Sequence, residues 1–246
     1  MESTIVKGVN VLELLVRSRG SVRLSVIAEE LKLPKSGVHR LLGTLIELGF
    51  VQQDADSGRY STTLKLWEWG QNIIADHPAK RAAAPYMQEL HRLTQETINL
   101  LVLDGDEVLF LDKILAARPL RFSTQPGSRA LAVMTAPGKA MLAHEPDAEQ
   151  IIQHSIATRP RAQGLDPRQI MADLEEVRTK GYTSANGSWT VGICSYGAPI
   201  MGRDGRAAAA ISVTAPTERV DPAKDAQIVE ALLYTCARIA ETVGEL

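Results

Sequence analysis

Between Val22 and Ser61 the chain sets short apolar stripes and turn residues in an order that few folds can accommodate. Val22-Arg-Leu-Ser-Val-Ile-Ala-Glu-Glu-Leu-Lys-Leu-Pro-Lys-Ser-Gly-Val-His-Arg-Leu-Leu reads as two short helices meeting at a tight turn. A longer apolar stripe follows, and then a small hairpin around Asp54-Ala-Asp-Ser-Gly58. Lys32, Lys35, His39 and Arg40 crowd the start of the second helix, and no acid lies between Glu30 and Glu47. Helices, a basic edge and a β-wing in this order are the shape and charge of a winged helix-turn-helix, and they point to double-stranded DNA.

Periodicity sets the expected details. Ile5, Val9, Leu12 and Val16, with Val6 and Leu15 beside them, repeat at helical spacing; Ser3 or Thr4 can cap that helix, and Gly20 lies just beyond it. Ser25 is expected to cap the second helix, which buries Ile27, Ala28 and Leu31, and Pro34 fits the first position of the third. There Val38, Leu41, Leu42 and Leu45 form one face and Lys35, Ser36, His39, Arg40, Gly43 and Thr44 the other. A recognition helix reads bases with its N-terminal residues. Arg40 is therefore the candidate for a bidentate guanine contact, and Ser36 and His39 for base edges or phosphates. Arg23 and Ser25 lie where a helix N-terminus would meet a phosphate, and Arg59 is the natural wing residue. Gly37 costs a helix about 1 kcal/mol relative to alanine, so it is either a tolerated weakness or a site of close approach to DNA. A charged helix face is also what an ordinary solvated helix presents; the ordered combination with the wing favours DNA.

Composition bounds the rest. The 246 residues suffice for one large domain or two modest ones, and 45% apolar with 23% charged residues suits a protein with a real core. A net charge of −2 means that attraction to DNA must come from local clustering. Cys194 and Cys236 lie far apart, which suggests reduced thiols in a cytoplasm. Neither a signal-peptide apolar core nor a membrane-span-length apolar run is legible, so a cytoplasmic protein with no membrane partner is expected.

Leu64 to Asp76 is a mixed helical stretch with Trp67 and Trp69, His77-Pro78 suggests a break, and a helix is expected from Ala82 to about Thr94. Ile98–Leu103 and Val108–Lys113 flank Asp104-Gly105-Asp106, a hairpin signal. Further strands are expected at Leu120–Ser123, Tyr182–Ala185, Ser195–Ile200 and Ala208–Val213. Helices are expected at Pro137–Ala143, Ala148–Ile156, Pro167–Lys180 and Pro222–Val243. The fold class is α+β.

Leu33-Pro-Lys-Ser-Gly-Val-His-Arg-Leu-Leu, with Leu48-Gly-Phe-Val and Gly58-Arg-Tyr, resembles the winged helix-turn-helix of the IclR family of bacterial transcriptional regulators. Glu96-Thr97, Leu103-Asp-Gly-Asp-Glu-Val-Leu-Phe-Leu-Asp-Lys113 and Thr135-Ala-Pro-Gly-Lys-Ala-Met-Leu-Ala143 resemble its effector domain. Gly192-Ile-Cys-Ser-Tyr-Gly-Ala-Pro-Ile200 and Ala210-Ile-Ser-Val-Thr-Ala-Pro216 continue the likeness. It implies a DNA-binding domain over residues 1–63, a linker helix over 64–80 and a GAF-like effector domain with a central antiparallel sheet over 81–246. The Trp67/Trp69 helix would then hold subunits together, where the residues alone allow both tryptophans to pack on their own domain.

The resemblance also implies an effector pocket at Phe122, Ala136, Pro137, Ser195, Ser212 and Thr214. Thr135 would cap the helix near Pro137 and leave N–H groups suited to a carboxylate; otherwise Ser212 and Thr214 merely satisfy each other or the backbone. Departures stand out at Ala185-Asn-Gly-Ser-Trp-Thr190, where many relatives carry acids, and at Ser195, where a cysteine is common and here comes just before it. Trp189 beside the pocket would favour a ligand with an apolar or aromatic part. Gly37 stands where many relatives carry Ser or Thr.

Catalytic motifs are not legible. Gly138-Lys139 lacks the first glycine of a P-loop, since position 133 is Val133. Cys194 lacks a nucleophile-elbow frame, and the histidines make no metal-ligand spacing. The expectation is a non-enzyme without metal or cofactor: a regulator of metabolic genes, homodimeric or homotetrameric, binding operator DNA and a small effector such as a carboxylic acid. The alternatives are a metabolite sensor acting through protein contacts, or an enzyme with dispersed catalytic residues.

Overall fold

The computed structural model describes residues 3–18, 20–117, 124–187 and 190–243. They form two compact units, divided between Ala75 and Asp76.

The first unit opens with α1 (Thr4–Arg17), capped by the Ser3 hydroxyl accepting from the Val6 N–H. Its buried residues are Val11, Leu14 and Leu15. Ile5, Val9 and Val16 of the expected apolar stripe are 78%, 55% and 55% exposed. A helical stripe shows that an apolar face exists, not which surface covers it. The second helix, α2 (Leu24–Glu30), is capped by the Arg23 backbone, and Ser25 lies inside it instead of capping it. Pro34 is the N-cap of α3 (Lys35–Glu47), one position earlier than expected. Between them Lys32 takes a left-handed φ of 52°, and its N–H bonds to the Glu29 carbonyl.

Val38, Leu42 and Leu45 of α3 close on Val11, Leu15 and Ile27 in one core. Fully burying a side chain such as Ile27 or Leu42 is worth roughly 1.5–3 kcal/mol. The wing strands β1 (Val51–Gln53) and β2 (Tyr60–Thr62) pair antiparallel, and Val22 bridges to Tyr60. Helix α4 (Lys65–Ala75) buries no residue fully. Trp69 meets Phe50 edge-on at 4.7 Å, with the Lys65 ammonium 4.8 Å from the Phe50 ring centre.

The second unit begins with α5 (Pro78–Thr94), four residues ahead of expectation: Pro78 opens this helix and does not break the chain. Next come β3 (Thr97–Asp104), β4 (Glu107–Ile114) and the unanticipated β5 (Arg129–Leu131), then α6 (Ala136–Leu142), α7 (Ala148–Thr158) and α8 (Pro167–Lys180). Last are β6 (Thr183–Asn186), β7 (Ile193–Met201), β8 (Ala207–Pro216) and α9 (Pro222–Val243). The expected strand at 120–123 lies outside the described residues.

The strands form an antiparallel sheet in the order β5-β4-β3-β8-β7-β6, so the strand near the unit's start pairs with the last one. Helices α5 and α9 cover one face. On the other, Leu101, Phe110 and Ala210 pack with Met141, Ile152 and Leu174 of α6, α7 and α8. Ion pairs to buried carboxylates pin the rim. Arg219 grips Glu96, itself 1% exposed, through two hydrogen bonds of 3.0 and 2.6 Å. Arg159 does the same to Asp106 at 2.8 and 2.7 Å, and holds that carboxyl below its ordinary pKa.

Candidate functional site

In the first unit Lys35, Ser36, His39 and Arg40 are exposed on α3. Among the described residues their side chains make no hydrogen bond or ion pair, and those of Arg23 and Ser25 make none either. Charge without an internal partner is available to an external anion. A groove between α1 and α3 is lined by Thr4, Lys7, Pro34, Ser36, Gly37 and Arg40, with Leu33 and Leu41 beneath. Lys7 lines it too, a residue that the apolar spacing along α1 gave no reason to single out. A Cβ at Gly37 would meet nothing within 4 Å, so no internal packing demands the glycine.

The wing carries little positive charge. Its turn holds Asp54 and Asp56, and the Asp54 carboxylate accepts from the Ser57 hydroxyl and N–H, which lower its pKa. Arg59 lies 3.4 Å from the Ser21 carbonyl, at the base of the wing.

In the second unit a cavity opens between the sheet and the start of α6, with about 440 Å³ of empty space. Phe110, Met134, Ala136, Pro137, Ala185 and Ile193 make its apolar side; Thr124, Thr135, Thr190, Ser195, Ser212 and Thr214 make its polar side. Five expected residues are thereby brought together: Ala136, Pro137, Ser195, Ser212 and Thr214. Phe122 and Trp189 lie outside the described residues.

Backbone contact builds this cavity. A Cβ at Gly197 of β7 would sit 2.3 Å from the Pro137 nitrogen, so α6 rests directly on the strand. Alternation along β7 then puts Ser195 on the same face as Gly197. Ser195 stands opposite Thr214, and Asn99 opposite Ser212.

The α6 N-terminus offers less to an anion than expected. Thr135 does cap it, accepting from the Gly138 N–H at 3.1 Å, and Pro137 has no N–H. Of the first three positions only Ala136 keeps an amide that neither cap nor proline removes.

Among the described residues the Ser212 and Thr214 side chains bond neither to each other nor to the backbone. Both accept from the side-chain amide of buried Asn99, at 3.1 and 3.4 Å, and Thr124 donates to the Asn99 carbonyl at 2.5 Å. Lys113 donates to the Thr124 backbone carbonyl. Asn99 escaped sequence reasoning because its partners lie 113 and 115 positions away. Lys139, the residue of the abortive P-loop match, pairs with Asp173 at 2.5 Å. Among the described residues no His/Cys/Asp/Glu group could hold a metal, and no helix is long and apolar enough to cross a membrane.

Two family models match the chain. One, described as the IclR helix-turn-helix domain, matches residues 4–55, and the other, bacterial transcriptional regulator IclR C-terminal, matches residues 71–241. The HTH-type transcriptional regulator KdgR of Escherichia coli is 31% identical over 239 residues, 96% of this chain and 90% of that protein. The crystal structure of the Thermotoga maritima IclR covers 98% of each chain at 26% identity, with a TM-score of 0.77. An IclR homologue from Microbacterium hydrocarbonoxydans, solved in complex with 4-hydroxybenzoate, has the same fold at 22% identity, covering 99% of this chain and 100% of that one with a TM-score of 0.81.

Proposed function

The chain belongs to the IclR family of bacterial transcriptional regulators and is a DNA-binding transcriptional regulator; from that premise we propose which surfaces do the work. The exposed face of α3 enters the major groove of an operator, with Arg40 reading guanine and Ser36 and His39 beside it. Lys35 with Lys7, and Arg23 with Ser25, neutralise phosphates on either side; Arg59 meets the backbone from the base of the wing. Gly37 lets the helix come close, since no internal contact accounts for it. The observation that carries this reading is the set of basic side chains on α3 that lack internal partners.

The regulator acts as a homodimer or a dimer of dimers. Ile5, Val9 and Val16 on α1, and Trp67 and Ile73 on α4, are each more than half exposed, an apolar surface that suits burial against a second copy. Half-sites about 34 Å apart follow from such symmetry. The cavity of the second unit takes a small effector, a carboxylic acid with an apolar or aromatic part, resembling in class the 4-hydroxybenzoate bound by the homologue. Effector binding shifts the balance between DNA-binding conformations through its difference in affinity for them. No catalysis is assigned, and the protein works in the bacterial cytoplasm.

Gel-shift titration of the DNA upstream of its own gene tests the DNA reading. Arg40→Ala should weaken operator binding by about 1–3 kcal/mol and relax sequence preference. An equal loss on operator and random DNA makes Arg40 a phosphate contact, and no loss on either removes α3 from the interface.

A further inference from the structure

We infer that Asn99 fixes the direction of the Ser212 and Thr214 hydroxyl protons, so that the cavity presents paired donors and selects a carboxylate over the matching amide. This deepens the effector reading above and rests on it. The orientation of the Asn99 amide follows from distances. Thr124 Oγ1 stands 2.5 Å from Asn99 Oδ1, a separation normal for O–H···O and too short for N–H···O. The other end of the amide lies 3.1 Å from Ser212 Oγ and 3.4 Å from Thr214 Oγ1, as an N–H donor would. Its two hydrogens are thus committed, one to each hydroxyl.

A hydroxyl has a single hydrogen. Ser212 and Thr214 accept from Asn99, and among the described residues neither hydroxyl donates to any acceptor. Both line the cavity, and both side chains are nearly fully buried. A buried donor without a partner is unfavourable, and an incoming acceptor relieves it. Ser195, opposite Thr214 on β7, adds a third hydroxyl to the same wall. A carboxylate has only acceptors to offer such a wall, whereas the NH2 of an amide meets donors.

Calorimetric titration of the full chain with benzoate and benzamide, 4-hydroxybenzoate and 4-hydroxybenzamide, and butyrate and butyramide tests this. Wild type should favour an acid over its amide by at least about tenfold. In Asn99→Asp the side chain only accepts, so the hydroxyl protons turn toward it and the acid preference is lost or reversed. Ser212→Ala, which carries no new charge, should weaken the acid about tenfold and leave the amide nearly unchanged. A purely structural role for Asn99 lowers both affinities and the melting temperature together, leaving the ratio intact. An intact ratio in either Asn99→Asp or Ser212→Ala overturns the inference while the effector reading stands. Wild type that binds no acid, or prefers the amides, overturns the carboxylate assignment. Acid binding that survives combined Ser195→Ala, Ser212→Ala and Thr214→Val overturns the cavity reading as well.

Discussion

Replacing Gly197 by alanine tests how the effector unit is assembled. The new methyl carbon would stand 2.3 Å from the Pro137 nitrogen, 2.5 Å from the Ala136 carbonyl carbon and 2.6 Å from the Pro137 Cα. Carbon contacts are comfortable near roughly 3.5–4.0 Å, so α6 must retreat by about 1 Å or the strand must bend. The obstructing atoms are backbone, and no rotamer change relieves them. Overpacking costs about 1–3 kcal/mol, and this site belongs at the upper end. Alanine recovers roughly 0.4–1 kcal/mol by restricting the unfolded chain, which leaves a net loss of about 2 kcal/mol. For a unit of this size that lowers the melting temperature by roughly 4–8 °C. Thermal melts followed by circular dichroism, with hydrogen exchange on β7 and α6 peptides, read the effect. Gly37→Ala is the matched control: it has open space around its Cβ, and alanine in a helix should gain about 0.5–1 kcal/mol. Equal melting of Gly197→Ala and wild type would refute the close-approach argument.

Three other perturbations separate stability from recognition. Gly37→Ala should also weaken operator binding if DNA approaches the bare Cα, which a gel shift on the stabilised variant reads; unchanged affinity makes the glycine a tolerated weakness. Lys32→Gly should stabilise the first unit by about 1 kcal/mol, because Lys32 holds a left-handed φ of 52° that glycine adopts without strain. Denaturant titration checks this, and no gain means that the lysine side chain offsets its own strain. Asp106 has a depressed folded pKa, so its contribution is present above the unfolded value of about 3.9 and is lost as pH falls through the folded value. Asp106→Asn should cost about 1–2 kcal/mol at neutral pH, the scale of hydrogen bonds to a charged group. The gap from wild type should narrow in acid below about pH 4, and a gap independent of pH would remove the Arg159 pairing as its cause.

Much of the architecture was legible because it is written in local chemistry. Asp166 with Pro167 and Gly181 bracket α8, and Pro222 opens α9, where expectation put them. The β3–β4 hairpin followed from Gly105, whose φ of 63° the turn requires. Failures arose where distant parts of the chain decide the outcome. On α1, Ile5, Val9 and Val16 of the apolar stripe are exposed while Val11 and Leu14 are buried, because spacing cannot say which face a neighbour covers. Lys32 makes a left-handed turn without the glycine that would have marked it, and β5 is three residues long with no pattern of its own. Five expected pocket residues met at one cavity, but the amide that orients two of them did not announce itself. A lone asparagine in an apolar strand acquires meaning only through cross-strand register.

The sheet order has a consequence for synthesis. β3 is hydrogen-bonded on one side to β4, its neighbour in sequence, and on the other to β8, which reaches residue 216. The central pairing must therefore wait for nearly the whole chain to leave the ribosome, and such long-range pairing is slow to form. The first unit is complete by residue 75 and has no such delay. During translation the DNA-binding unit can thus take shape well before the sheet of the second unit.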